Sequence, residues 1–202
     1  VYLGEWDDEY IHDGMVRGDT MYAGCINEGE LFIVDVSDKS NPFTLGTRIT
    51  PNAFTHNAWV SDDGNYVFTT DEKSDSYIGS YDISDMSNIQ EIDRIQSNPE
   101  SNSIPHNTHV DGDFLITSWY RDGTTVHDIS NPHNLVQVAY YDSYSGSGDG
   151  FDGCWGTYPF LPSGNIISSE INSSSNQSAK LMIYERGFVQ ACYLEGNITD
   201  AT

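Results

Sequence analysis

His56-Asn57-Ala58-Trp59-Val60, then Ser61-Asp62-Asp63-Gly64-Asn65, then Tyr66-Val67-Phe68-Thr69-Thr70 form the pattern on which the whole chain is built. Two short runs of β-branched, aromatic and small residues flank a turn built from Asp, Gly and Asn. Asp-Gly and Gly-Asn pairs reach the positive φ angles of tight hairpins, so the stretch reads as two antiparallel strands. The same opening recurs at His12-Asp13-Gly14-Met15-Val16 and at His106-Asn107-Thr108-His109-Val110. It returns at Asp152-Gly153-Cys154-Trp155-Gly156, where Asp takes the His position. The spacings are 44, 50 and 46 residues, the length of one four-stranded propeller blade.

Each unit continues in one order. Second strands are expected at 20–24, 66–70, 114–119 and 166–170, and third strands at 31–36, 78–83, 124–129 and 181–184. Leu31-Phe32-Ile33-Val34 is a continuous apolar run, the pattern of a strand covered on both faces. Asp35, Asp82 and Asp128 end the third strand of the first three units, ahead of Ser/Asp/Asn-rich turns. Recurrence at equivalent places argues for turn capping rather than a unique active site. Outer strands are expected at 43–49, 90–95, 135–141 and 188–194. Val1 to Trp6 stand where the outer strand of a preceding unit belongs. The expectation is an all-β propeller over 1–202, with four four-stranded blades led by His12, His56, His106 and Asp152. A remnant of an earlier blade at 1–6 places these four within a larger ring.

Composition agrees. Thirteen Tyr, 8 Phe and 4 Trp suit pleated, half-buried surfaces, and 18 Gly suit turns. Thirty-one acidic against 8 basic residues give a net charge of −23, which repels phosphate backbones and excludes nucleic acid as a partner. No apolar run reaches the length of a membrane span. Cys25, Cys154 and Cys192 are an odd set without metal-type spacing, open to one disulfide plus a free thiol or to three buried thiols. Glycosylation acceptor triplets begin at Asn172, Asn176 and Asn197.

Leu31-Phe32-Ile33-Val34-Asp35 nearly spells LVIVD, and Trp155-Gly156-Thr157-Tyr158-Pro159-Phe160-Leu161-Pro162-Ser163-Gly164-Asn165-Ile166-Ile167 looks like the WGxYPFLPSGNII stretch of choice-of-anchor B proteins. His56-Asn57-Ala58-Trp59 with Thr70-Asp71-Glu72 resembles their HNxW and TDE elements. The chain therefore resembles the choice-of-anchor B family of LVIVD-repeat proteins. The resemblance implies a secreted or surface-displayed β-propeller, hence an extracellular location. It implies no enzymatic activity.

The candidate binding positions are His12, His56, Asn57, His106, Asn107 and Asp152, which open the innermost strands and converge on the central channel. Three imidazoles and a carboxylate there could hold a transition metal. Equivalent residues in a ring often stand too far apart to share an ion, so stapling of neighbouring blades is the expected role. Asp71, Glu72 and Asp75 offer oxygen ligands for Ca²⁺, with a solvated turn as the plainer reading. The 142–152 loop and its aromatic neighbours suggest a rim for a protein or glycan partner. Arg17-Gly18-Asp19 reads as hairpin chemistry. The functions in competition are a non-enzymatic binding module, a metal-dependent enzyme using the channel histidines, and a structural subunit of a surface assembly.

Overall fold

The computed structural model describes residues 1–171 and 179–194. Asn172, Asn176 and Asn197, the three candidate glycosylation sites, lie outside the described residues.

Among the described residues, fifteen strands make four antiparallel sheets. The first holds β1 (Asp13–Arg17), β2 (Thr20–Cys25), β3 (Glu30–Asp35) and β4 (Phe43–Ile49). The second holds β5 (Thr55–Val60), β6 (Tyr66–Asp71), β7 (Ile78–Asp82) and β8 (Gln90–Ile95). The third holds β9 (Pro105–Asp111), β10 (Phe114–Trp119), β11 (Gly123–Asp128) and β12 (Val136–Tyr141). The fourth holds β13 (Gly153–Tyr158), β14 (Ile166–Ile171) and β15 (Lys180–Tyr184). Strands follow one another across each sheet in chain order, the meander of a propeller blade.

The hairpins form as the turn residues dictate. Gly18, Gly64, Gly112 and Gly164 hold φ of 61°, 76°, 61° and 78° between the first two strands of their blades. Arg17-Gly18-Asp19 is one of these turns. Its Arg17 is committed to the next blade, donating from Nη1 to the carbonyls of Val60 (3.2 Å) and Ser61 (2.5 Å). The recurring Asp at the end of the third strand caps the turn after it. Asp35, Asp82 and Asp128 accept from the backbone N–H of Ser37 (2.7 Å), Ser84 (2.9 Å) and Ser130 (2.8 Å).

The core lies between blades rather than within them. Tyr22, Leu31 and Ile33 of the first blade pack on Ala58, Val60, Val67, Tyr81 and Ile83 of the second. Phe68 and Ile78 of the second pack on Val110, Leu115 and Trp119 of the third. Every residue of Leu31-Phe32-Ile33-Val34 is buried, because each face of β3 meets a different apolar cluster. Trp6 covers the outer face of the first blade, with its ring 5.6 Å from Phe32 and its Nε1 donating to Thr44 Oγ1 (3.2 Å). Residues 1–6 make no strand there.

The fourth unit departs from the expected pattern, for among the described residues it has three strands. The outer strand expected at 188–194 is absent because this segment turns back onto the third blade. Gln190 donates to Asp113 (2.7 Å), the Ala191 N–H to Asp128 (2.6 Å), and Phe188 packs edge-on against Phe114 at 4.8 Å. Cys25 and Cys154 are buried and Cys192 is exposed, all three as free thiols. Among the described residues no helix is long and apolar enough to cross a membrane.

Candidate functional site

Val16, Val60 and Val110 pair with Met21, Val67 and Leu115 at the same level of their hairpins. His12, His56 and His106 each stand four residues before them, so the three imidazoles enter the channel at one height. In the fourth blade Tyr158 pairs with Ile167 at that level, and the residue four before it is Cys154. Asp152, expected in the ring, therefore lies two residues further out. Its oxygens accept from Arg121 Nε (2.5 Å) and Tyr144 OH (2.7 Å), pinning the 142–152 loop to the third blade.

The inner strands are not regular where they matter. The register of β5 slips between Thr55 and Asn57, that of β9 opposite Thr117 and Trp119, and that of β13 between Cys154 and Gly156. A bulge adds one residue and re-aims the side chains around it, a common device beside functional sites. Here it lets adjacent residues of the His-Asn pair serve two stacked layers of the channel.

In the first layer the histidine rings touch. His12 and His56 have centroids 4.5 Å apart, and His56 and His106 4.3 Å. The expectation that ring members stand too far apart to cooperate does not hold for these neighbours. A second ring position adds to them. Glu72 follows the last residue of β6, and Tyr120 follows the last residue of β10, so the two are equivalent in successive blades. Glu72 Oε2 lies 3.6 Å from His56 Nε2, and Glu72 Oε1 lies 3.6 Å from His106 Nε2. Tyr120 OH donates to Glu72 Oε1 at 2.7 Å. His12, His56 and Glu72 offer ligand atoms all within 4.8 Å of one another.

The layer is electrostatically unusual. Burial pushes the His56 pKa down to about 3, helped by the neighbouring His106 and His12, and burial takes His106 down to about 4. Both rings are thus neutral at pH 7 and can offer lone pairs. Their Nδ1 atoms are buried without a partner in hydrogen-bond geometry. Burial raises the pKa of Glu72 and that of Tyr120, the latter also through the carboxylate it bonds.

The second layer is a polar net. Asp13 Oδ2 accepts from Asn57 Nδ2 (3.1 Å) and Asn107 Nδ2 (2.6 Å), and Asn57 Oδ1 accepts from the Thr108 N–H (3.1 Å). Three blades are joined through this one set. Further along the channel Phe160 crosses from the fourth blade to stack on Trp59 (5.8 Å) and meet His109 edge-on (5.9 Å).

Asp71, Glu72 and Asp75, which could offer oxygen ligands to Ca²⁺ or form a solvated turn, are placed apart with separate partners. Asp71 is fully buried and accepts from Thr50 Oγ1 (2.5 Å) and the Asn52 N–H (2.6 Å). Asp75 sits in a left-handed turn (φ 57°) and accepts from Gln96 (2.9 Å). Successive strand-end residues point to different sides, so adjacency in sequence separates these carboxylates in space. Tyr120 went unnoticed in the sequence. Its equivalence to Glu72 in the repeat was the signal that could have found it.

The LVIVD repeat matches residues 15–50. No curated protein matches the chain in sequence. In structure the chain is similar to a protein of Lactobacillus plantarum, with TM-score 0.68 and 15% identity over 89% of this chain and 55% of that one. It is similar to the β-propeller domain of Swd1 from Myceliophteria thermophila, with TM-score 0.56 and 11% identity over 81% and 48%. It is also similar to a periplasmic gluconolactonase of Pseudomonas aeruginosa, with TM-score 0.60 and 12% identity over 87% and 57%. The chain spans about half the length of these solved proteins. Four radial sheets, a core between them and these likenesses agree on one architecture: the chain is a β-propeller that carries an LVIVD repeat.

Proposed function

We propose that the chain is the ligand-binding portion of a secreted or surface-displayed β-propeller, with the channel mouth around His12, His56, His106, Glu72 and Tyr120 as its working site. The observation that carries this reading is the convergence of five ionisable side chains from successive blades, several of them buried and with shifted pKa values. Buried polar groups of this kind cost stability, and a site for a ligand is a reason to keep them.

A neutral glycan is the ligand class the surroundings favour. The exposed rings of Tyr10, Phe151 and Trp155 border the layer, next to His12 (6.2 Å), Tyr120 (5.3 Å) and His106 (5.0 Å). Aromatic faces offer apolar platforms for sugar rings, while the imidazoles and carboxylate supply directional polar contacts. A net charge of −23 disfavours anionic ligands and supports a protein kept soluble outside the cell.

Isothermal titration with neutral mono- and oligosaccharides tests the reading, using wild-type protein and Trp155→Ala. Binding of at least one neutral saccharide, weakened tenfold or more in Trp155→Ala, is expected. An unchanged affinity in Trp155→Ala, or no binding by any neutral saccharide at millimolar concentration, would overturn it.

A further inference from the structure

We propose that the channel mouth binds a divalent transition-metal ion through His12, His56 and Glu72, with Tyr120 and His106 positioning the carboxylate. The proposal rests on the channel mouth being the working site and adds the ion that organises it.

Two imidazoles and one carboxylate are a recurrent ligand set for catalytic zinc and for non-haem iron, and both leave coordination positions open. Spacing agrees with this chemistry. Bonds of about 2.1 Å in a tetrahedron put ligand atoms roughly 3.4 Å apart. His56 Nε2 and Glu72 Oε2 already stand at 3.6 Å, too far for a good hydrogen bond and close to the edge of that tetrahedron. The widest separation in the set is within 4.8 Å. His12 is the exposed member, just ahead of β1, so it is the one with room to swing inward.

The carboxylate is presented asymmetrically. Oε1 accepts from Tyr120 OH at 2.7 Å and faces His106, which leaves Oε2 on the His56 side. A hydrogen bond to the far oxygen of a ligating carboxylate is the arrangement that orients such ligands. Burial supplies the second, independent observation. His56 has a side chain only 5% exposed, and its Nε2 faces Glu72 Oε2 at 3.6 Å, beyond good hydrogen-bond distance. A buried imidazole nitrogen and a carboxylate that face each other without a hydrogen bond are costly unless something sits between them. The fourth blade brings Trp155 beside His106 (5.0 Å) where a fourth histidine would be, and Cys154 Sγ is turned to Thr124 Oγ1 at 3.5 Å in the blade interface. The set therefore stops short of a closed four-ligand structural site. With His12 at the solvent side, the open position faces the mouth, where the ion would take water or a ligand hydroxyl.

The test is equilibrium dialysis of chelator-treated protein against Zn²⁺ and Co²⁺, with the visible spectrum of the Co²⁺ form as a second readout. One ion per chain is expected, with Co²⁺ absorption bands of four- or five-coordination. His12→Ala and Glu72→Gln should each weaken binding 100-fold or more. Tyr120→Phe should weaken it 10- to 100-fold and alter the Co²⁺ bands. His12 is exposed, so His12→Ala keeps the fold, and His133→Ala, in the exposed turn between β11 and β12, should bind as wild type. Absence of binding below about 1 mM, or binding indifferent to both His12→Ala and Glu72→Gln, would overturn the proposal. Saccharide titration of the metal-free protein separates the two readings. Sugar binding without metal binding removes only the ion, and metal binding without any sugar removes only the glycan.

Discussion

Replacing Asp71 by alanine separates a structural carboxylate from a metal ligand. Asp71 is fully buried where β6 ends, and its two oxygens answer Thr50 Oγ1 at 2.5 Å and the Asn52 N–H at 2.6 Å. Thr50 Oγ1 in turn meets Thr55 Oγ1 at 2.7 Å, so the carboxylate anchors the segment that leads from the first blade into β5 and His56. Hydrogen bonds to a charged group contribute about 1.5–3 kcal/mol each. Burial raises the Asp71 pKa, so part of that gain is spent on desolvation. A net loss of about 2–4 kcal/mol is expected for Asp71→Ala, or roughly 5–15 °C in Tm for a domain of this size. The sign of the pH dependence follows from the raised pKa. The contribution of Asp71 is greatest below the ordinary carboxylate range and shrinks as pH rises through its folded-state value, so the deficit should be larger at pH 4 than at pH 7. Differential scanning calorimetry in chelator, with and without millimolar Ca²⁺, is the assay. A deficit under about 3 °C, or a large Ca²⁺-dependent rise in wild-type Tm that Asp71→Ala abolishes, would mean that Asp71 is not a structural anchor.

Two further outcomes follow from the same geometry. His127 is fully buried, and burial takes its pKa down to about 3 against a smaller opposing effect of Gln137, so it stabilises the fold above about pH 6.5 and loses that contribution as pH falls. Urea titrations of His127→Leu should show a stability loss between pH 6.5 and 4.5 that is shallower than wild type by about 1.4 kcal/mol per pH unit; parallel curves would contradict this. A Cβ on Gly24 would meet the His56 carbonyl oxygen at 2.7 Å, so Gly24→Ala should cost about 1–3 kcal/mol in thermal stability, and an unchanged Tm would mean that the blades yield freely there.

Much of this molecule is legible in its sequence because each blade repeats one hairpin grammar. Gly18, Gly64 and Gly112 announce their turns, and Leu31 to Val34 announce a strand buried on both faces. Three of the mouth residues, His12, His56 and His106, were also in plain sight. What escaped depends on backbone irregularity and on context. The register slip at Cys154 and Gly156 disguises the correct frame of the fourth unit, so Asp152 passed for a ring residue. Glu72 was visible but grouped with its sequence neighbour Asp71, whose side chain goes to Thr50 instead. The missing fourth outer strand was hidden because Gln190 and Ala191 find acceptors on Asp113 and Asp128, a tertiary preference that strand propensity does not encode.

The Asp13–Asn57–Asn107 net has a mechanical consequence. Because one carboxylate oxygen from the first blade receives amides from the second and the third, the rotation of these blades about the channel is clamped at its axis. The histidine layer rides directly on that clamp, one residue along each inner strand. The spacing of the mouth is thereby insulated from the loops at the rim. The 142–152 segment can lengthen, shorten or change its chemistry while the imidazoles keep their separation. Such a scaffold can exchange its selectivity without retuning its centre.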